Sequence, residues 1–264
     1  MRVGVALGLA VVCLSACGSS GRPTETGALR VTTLPVHSKL LNRTLNGLLV
    51  TPHGGGQGRP LLVFLHGRGA TPGETLGDAF LAGLRRLGAR APVVLLPDGG
   101  DHSYWHDRAE GAWGSYVLHE AIPAALTRSG ANPHRVAIGG ISMGGFGALD
   151  LARIAPRRFC AVGGHSAALY LRGSDTPDGA FDDLADFKRH DLVAFARSGS
   201  PYRAPLWLDV GTKDPFRGAD TAFAHELQAD GAKPSFHVWP GSHGPTYWDA
   251  HLARYLRFYA VACG

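Results

Sequence analysis

Lysine is scarce in this 264-residue chain: of its 26 basic residues, 4 are lysine and 22 are arginine. The formal net charge of +5 therefore rests on arginines, and these are scattered along the chain rather than grouped. A surface that binds nucleic acid by releasing counterions needs its cations together on one face. The scatter argues against a nucleic-acid partner. Charged residues make up only 18% against 45% hydrophobic, a balance that excludes overall disorder. Long apolar runs are missing too. Residues 3–14 form a run of 12, where a bilayer-spanning helix needs about 20. The length alone allows one large domain or two small ones.

What the chain does carry at its start is an address. Met1-Arg2 is positively charged, and residues 3–14 have the length of a signal-peptide apolar segment. Leu14-Ser15-Ala16-Cys17, with Gly18-Ser19-Ser20 behind it, resembles a bacterial lipobox. That resemblance implies cleavage after Ala16 and a lipid-modified Cys17. The protein would then sit on the outer face of the cytoplasmic membrane, in the cell envelope. An ordinary secretory signal cut near Ala16 is the alternative. Residues 17–28 read as a flexible Gly/Ser/Thr-rich tether, the last eleven reaching about 18 Å as a random coil. Residues 29–264 remain as the folded domain. Cys13 leaves with the signal and Cys17 goes to lipid. Cys160 and Cys263 are left either to form a disulfide across a long loop or to stay as separate buried thiols.

Short apolar runs at 45–50, 61–65, 93–96, 136–139, 160–163, 206–210 and 236–239 are strand candidates. Helical spacing marks 78–87, 115–128, about 143–153, 219–230 and 247–262, with Pro123 expected to kink the second. Strands alternating with helices, several strands continuously apolar, predict an α/β fold with a mostly parallel central sheet covered on both faces. Residues 165–205 break the alternation and read as a short cap inserted between two strands. The cap aspartates Asp175, Asp178, Asp182, Asp183 and Asp186 lack the spacing and glycine of a calcium loop. His102 and His106 lack the glutamate of a zinc helix. No metal and no cofactor is expected.

Gly140-Ile141-Ser142-Met143-Gly144 stands between a predicted strand and a predicted helix, the setting in which G-x-S-x-G marks a nucleophile elbow. Ser142 is the candidate nucleophile. A serine hydroxyl needs a base, and the base needs an orienting acid. Asp214 follows the strand at 206–210 and His243 follows that at 236–239, in the order Ser, acid, His that such sheets use. Asp209, inside its strand, is the weaker candidate for the acid. The backbone N–H groups of Met143 and Arg68 are candidate oxyanion donors; Arg68 belongs to His66-Gly67-Arg68-Gly69, in which His66 reads as structural. Tyr104, Trp105 and Trp113 are expected to wall the substrate rim.

Four blocks narrow this further: Leu96-Pro97-Asp98-Gly99-Gly100; Trp113-Gly114-Ser115-Tyr116 through Ala121-Ile122-Pro123; the elbow with Asn132-Pro133-His134-Arg135 upstream; and Gly241-Ser242-His243 with Tyr247-Trp248 behind it. With them, residues 45–260 resemble the α/β-hydrolase "putative esterase" family, which includes esterase D-type enzymes, feruloyl esterases and mycolyltransferases. The resemblance implies an α/β-hydrolase fold and a serine carboxylic-ester hydrolase working through an acyl-enzyme on Ser142, Asp214 and His243. Its substrate would be an ester, a small molecule or an envelope lipid or glycan. Two departures from the mycolyltransferases, the loop at His66–Gly69 and an Asp rather than a Glu at 214, favour hydrolysis over transfer to a sugar. Acyl transfer to an envelope sugar, a serine peptidase and a non-catalytic binding lipoprotein are the alternatives.

Overall fold

A computed structural model describes Met1 and residues 24–26, 29–199 and 202–264. The expected signal peptide and Cys17 lie outside the described residues. Within the expected tether, Thr24–Thr26 forms a strand, β1, paired antiparallel with β2 (Leu29–Ser38). Its two β-branched threonines favour that extended backbone. The further strands are β3 (Arg43–Pro52), β4 (Leu61–Leu65), β5 (Val93–Leu96), β6 (Asp107–Arg108), β7 (Gly111–Ala112), β8 (Val136–Ile141), β9 (Ala161–His165), β10 (Leu206–Gly211) and β11 (Ser235–Trp239). Nine of them make one sheet in the order β1-β2-β3-β5-β4-β8-β9-β10-β11, while β6 and β7 pair separately. From β5 to β11 every neighbour is parallel; β1, β2 and β3 add an antiparallel edge. The sheet is the mostly parallel one expected. β2 escaped the sequence reading because its burial alternates around Pro35 and three polar positions, without a continuous apolar run.

The described helices are α1 (Pro72–Thr75), α2 (Asp78–Leu87), α3 (Trp113–Tyr116), α4 (Ile122–Ser129), α5 (Met143–Ile154), α6 (Leu184–Arg189), α7 (Leu192–Arg197), α8 (Arg217–Ala229) and α9 (Pro245–Ala262). Strand alternation assigns them to two layers. Leu61, Val63 and Leu65 of β4 face a core shared with α4, α5 and α8. Leu62 and Phe64 face the opposite core, shared with α2 and α9 through Phe80, Leu84, Leu252 and Leu256. A strand buried on both faces must be apolar at every position, and all five residues of β4 are. None of the described helices is long and apolar enough to cross a membrane.

The predicted helix over 115–128 is α3 and α4 joined by a π-helical turn, Val117–Ala121. Pro123 sits in the first turn of α4. A proline ring crowds the carbonyl four residues earlier, and the wider π turn just ahead of it makes room without ending the helix. The insertion begins one residue later than expected, because His165 is the last residue of β9. Within it α6 and α7 join the neighbouring helices: His190 bonds Asp150 of α5, Arg153 of α5 bonds the Arg189 carbonyl, and Arg197 bonds Glu226 of α8.

Cys160 and Cys263 are joined by a disulfide across 103 residues, with Cα atoms 5.4 Å apart. It ties the C-terminus of α9 to the start of β9, beside Arg135, whose Nε donates to the Cys263 carbonyl at 2.6 Å. Replacing both cysteines by alanine is expected to lower folding stability by about 2–5 kcal/mol. Thermal unfolding with and without a thiol reductant checks this, since reduction should lower only the parent's Tm.

Candidate active site

Ser142 occupies the turn between β8 and α5 with φ +55° and ψ −120°. A non-glycine residue held there is strained and needs its surroundings to hold it. Here they do. Ser142 N–H donates to the His165 carbonyl at 3.0 Å, and the Ser142 carbonyl accepts from Phe146 and Ala168 N–H, each at 3.0 Å. The turn is tight enough that a Cβ on Gly140 would strike the Gly144 backbone, and one on Gly144 would strike the Leu65 carbonyl.

The loops after β10 and β11 are clipped together by backbone bonds, Thr212 N–H to the Trp239 carbonyl and Lys213 N–H to the Gly241 carbonyl, both 2.8 Å. A Cβ on Gly211 would meet the Gly241 carbonyl at 2.6 Å. This clip brings Asp214 and His243 side by side. His243 Nδ1 lies 2.9 Å from Asp214 Oδ2, and His243 Nε2 lies 2.9 Å from Ser142 Oγ. The other Asp214 oxygen accepts from Phe216 N–H at 2.9 Å. The imidazole stands between the edges of Phe216 and Trp248, each ring centroid 5.0 Å away. Residues separated by 101 and 29 positions thus meet in one hydrogen-bonded line.

Met143 is the first residue of α5, so its N–H has no acceptor within the helix. The loop carrying Arg68 presses on the same spot, since a Cβ on Gly67 would lie 3.4 Å from that of Ser142. His66 holds that loop. Its Nε2 accepts from Gly99 N–H at 3.0 Å, which leaves the proton on Nδ1 to donate to the Gly67 carbonyl at 2.9 Å. Burial lowers its pKa, so it stays neutral.

Three of the expected rim residues are elsewhere. Trp105 is fully buried and Trp113 nearly so. The Trp105 indole donates to the His66 carbonyl at 3.2 Å and fills space left by Gly99 and Gly147. Trp113 lies over Gly100 and under the Arg43 guanidinium. Tyr104 is also buried, packed against Phe146 and Phe181, with its hydroxyl 3.0 Å from that of Tyr170. Aromatic rings gain most from removal from water, and glycine neighbours gave the two tryptophans a place inside. A cavity of about 280 Å³ reaches Ile141, the residue before Ser142, and Trp248, which packs on His243; Phe64, Arg68, Glu74, Phe80, Asp249 and Leu252 also border it, and no triad side chain does. Trp248, missed as a lining residue, was legible only as part of the block behind His243.

The sequence profile of the family described as "Putative esterase" matches residues 38–259. The chain belongs to this esterase family. An esterase of Mycobacterium tuberculosis is 30% identical over 161 residues, 58% of this chain and 34% of its own length. The S-formylglutathione hydrolase of Paracoccus denitrificans is 26% identical over 175 residues, 61% of this chain and 62% of its own. The matched stretch thus spans about a third of the first relative and under two thirds of the second. Among solved structures, a ferulic acid esterase superposes with TM-score 0.77 at 21% identity, covering 89% of this chain and 98% of its own. MPT51 of Mycobacterium tuberculosis does so at 0.68 and 19%, covering 89% and 99%. At these identities the superpositions speak for the fold, the α/β-hydrolase fold.

Charge in this esterase-family site is arranged around Asp214. Burial alone would raise its carboxyl, but the bonds from His243 and Phe216 outweigh that and hold it below the ordinary carboxylate range. Asp220, nearby and buried, goes the other way. Burial, reinforced by Asp214 and Asp209, pushes its carboxyl well above the ordinary carboxylate range. Asp209, the weaker candidate for the acid, does not reach His243. It is fully buried and accepts from His165 and Trp207 on one oxygen and from Tyr247 and Tyr255 on the other. A folded pKa depressed below the unfolded value of about 3.9 stabilises the fold above that pH, and this is lost as pH falls through the folded value. Asp214→Asn is therefore expected to be less stable than the parent at pH 5–7, the gap closing below about pH 3.9; denaturant unfolding across that range measures it.

Proposed function

We propose that the chain is a serine carboxylic-ester hydrolase. Ser142 Oγ attacks the acyl carbon while His243 Nε2 takes its proton, and Asp214 keeps the other imidazole proton on Nδ1 and steadies the imidazolium. The N–H groups of Met143 and Arg68 receive the oxyanion, with the positive end of α5 behind the first. His243 then returns the proton to the leaving alcohol, and water repeats the sequence on the acyl-enzyme to release the acid. The observation that carries this reading is the line Ser142–His243–Asp214, with both links at 2.9 Å, at the tip of a strained turn. The cavity next to this line is apolar at Phe64, Phe80, Ile141, Trp248 and Leu252 and charged at Arg68, Glu74 and Asp249, a lining that suits an ester with an apolar or aromatic group.

The setting we propose is the envelope, with Cys17 carrying lipid and a membrane-surface ester as substrate. Leu14-Ser15-Ala16-Cys17 supports this, as does a disulfide that calls for an oxidising compartment. The nucleophile that deacylates Ser142 would be water rather than an alcohol.

A fluorophosphonate probe is expected to label the protein and nitrophenyl esters to be cleaved, with Ser142→Ala losing both and Asp214→Asn losing about 10³–10⁴-fold in kcat. Undiminished cleavage by Ser142→Ala would refute the mechanism, and acylated sugar formed with an added sugar alcohol would make the protein a transferase. Cells fed labelled palmitate are expected to mark the parent and not Cys17→Ala; equal marking would refute the anchor.

A further inference from the structure

Where the insertion meets α5, His106 converges with two side chains about 80 residues further along the chain, Asp186 and His190. His106 Nε2 lies 3.1 Å from Asp186 Oδ2, and His190 Nε2 lies 3.7 Å from Asp186 Oδ1. One donor atom from each residue lies within 4.8 Å of the other two. His106 and Asp186 have no exposed side-chain surface, and His190 has 11%. We propose that His106, Asp186 and His190 form a structural site for a divalent transition metal of the zinc class, fastening the insertion to the body of the domain. It does not depend on the ester-hydrolase reading.

Two imidazoles and a carboxylate are a donor set that zinc takes, with bonds of about 2.0–2.2 Å; tetrahedral geometry then places donor atoms about 3.3–3.6 Å apart. The observed 3.1 and 3.7 Å separations, which run to the two different oxygens of Asp186, fall on either side of that span, and a small turn of the carboxylate would bring one oxygen to both rings. The surroundings already hold the rings as a metal requires. His190 Nδ1 donates to Asp150 Oδ2 at 2.7 Å, which leaves the lone pair of Nε2 facing the centre. This carboxylate–histidine arrangement is the one that orients metal-bound imidazoles. Asp150 is itself fully buried and bonded by Arg153. On His106, Nδ1 faces the Tyr104 carbonyl at 3.5 Å. When the ion takes the place of the proton between His106 Nε2 and Asp186, that proton moves to Nδ1 and the carbonyl accepts it.

Asp186 also accepts from Asp182 N–H at 2.9 Å and from Arg189 at 3.0 Å. Arg189 is 63% exposed, so its guanidinium can turn to solvent as the ion arrives, and water completes the fourth position. Arg153 stays with Asp150. The ion would join the segment after β5, the end of α6 and, through Asp150, helix α5. Those are the pieces that position Phe146 and Phe181, whose rings pack on His106, and Tyr104, which packs on both. The sequence reading weighed His102 with His106 and the run of aspartates separately. His102 instead turns to Asp101 and Glu110, and only Asp186 of the run reaches the centre.

Purified protein stripped with chelator is expected to take up one Zn2+ per chain and to gain about 5–10 °C in Tm at Zn2+ near 100 times Kd. Co2+ in its place is expected to give the intense visible bands of a four-coordinate ion. His106→Gln and His190→Gln should abolish uptake and shift, with folding verified by circular dichroism. Asp150→Asn, a positioning change, should weaken binding about 10–100-fold. No stoichiometric uptake by the parent, or a Tm shift that survives both histidine substitutions, would overturn the proposal. If those variants do not fold, Co2+ bound to the parent decides it alone, and bands of a six-coordinate ion would count against the site.

Discussion

Asp209 is a charge with no access to water, and much of the molecule is arranged around keeping it satisfied. A carboxylate has about four acceptor sites, and this one receives four donors from β9, β10 and α9. An unpaired buried charge would cost several kcal/mol, whereas a fully bonded one pins its partners. Tyr247 and Tyr255 thereby fix the start and middle of α9, the helix that directly follows His243. His165 bonds Tyr259 on its other nitrogen at 2.8 Å, and the Tyr259 hydroxyl rests where side chains on Gly139 and Gly163 would be. One acid thus couples α9 to the strands on which the serine turn is built.

The serine turn is the counterpart of that anchor, because strain at Ser142 persists only if both sides are rigid. β8 is held between β4 and β9, and α5 is buried along nearly its whole length, with ten of twelve residues in the interior. Against this frame the base and acid need no long reach. Their loops are clipped by backbone bonds, and the imidazole is steadied by rings on both sides.

The insertion divides polar from apolar work. Near the serine it supplies backbone: Ala168 N–H bonds the Ser142 carbonyl. Farther out it carries His190 and the buried Asp186, bonded to α5 and to the segment ahead of it through Asp150 and His106. Short helices of six residues hold little structure by themselves, so α6 and α7 depend on their aspartate N-caps and on that network.

The strands, the elbow and the order of Asp214 and His243 were legible because each leaves a local mark: a fully apolar run, glycines flanking a serine, an acid or histidine just past a strand. α2 was read to its exact residues, since its caps and spacing agree. Partnerships across long separations leave no such mark. That Trp105 and Trp113 would lie inside depended on glycines at 99, 100 and 147 arriving beneath them, and Tyr104 on the rings of Phe146 and Phe181; β2 was hidden by one-sided burial. His106 acquired its neighbours only when the insertion folded onto α5. Composition and spacing determined which chemistry the chain could hold. Tertiary structure decided which side chains share a site, because contact distance is set by packing and not by position along the chain.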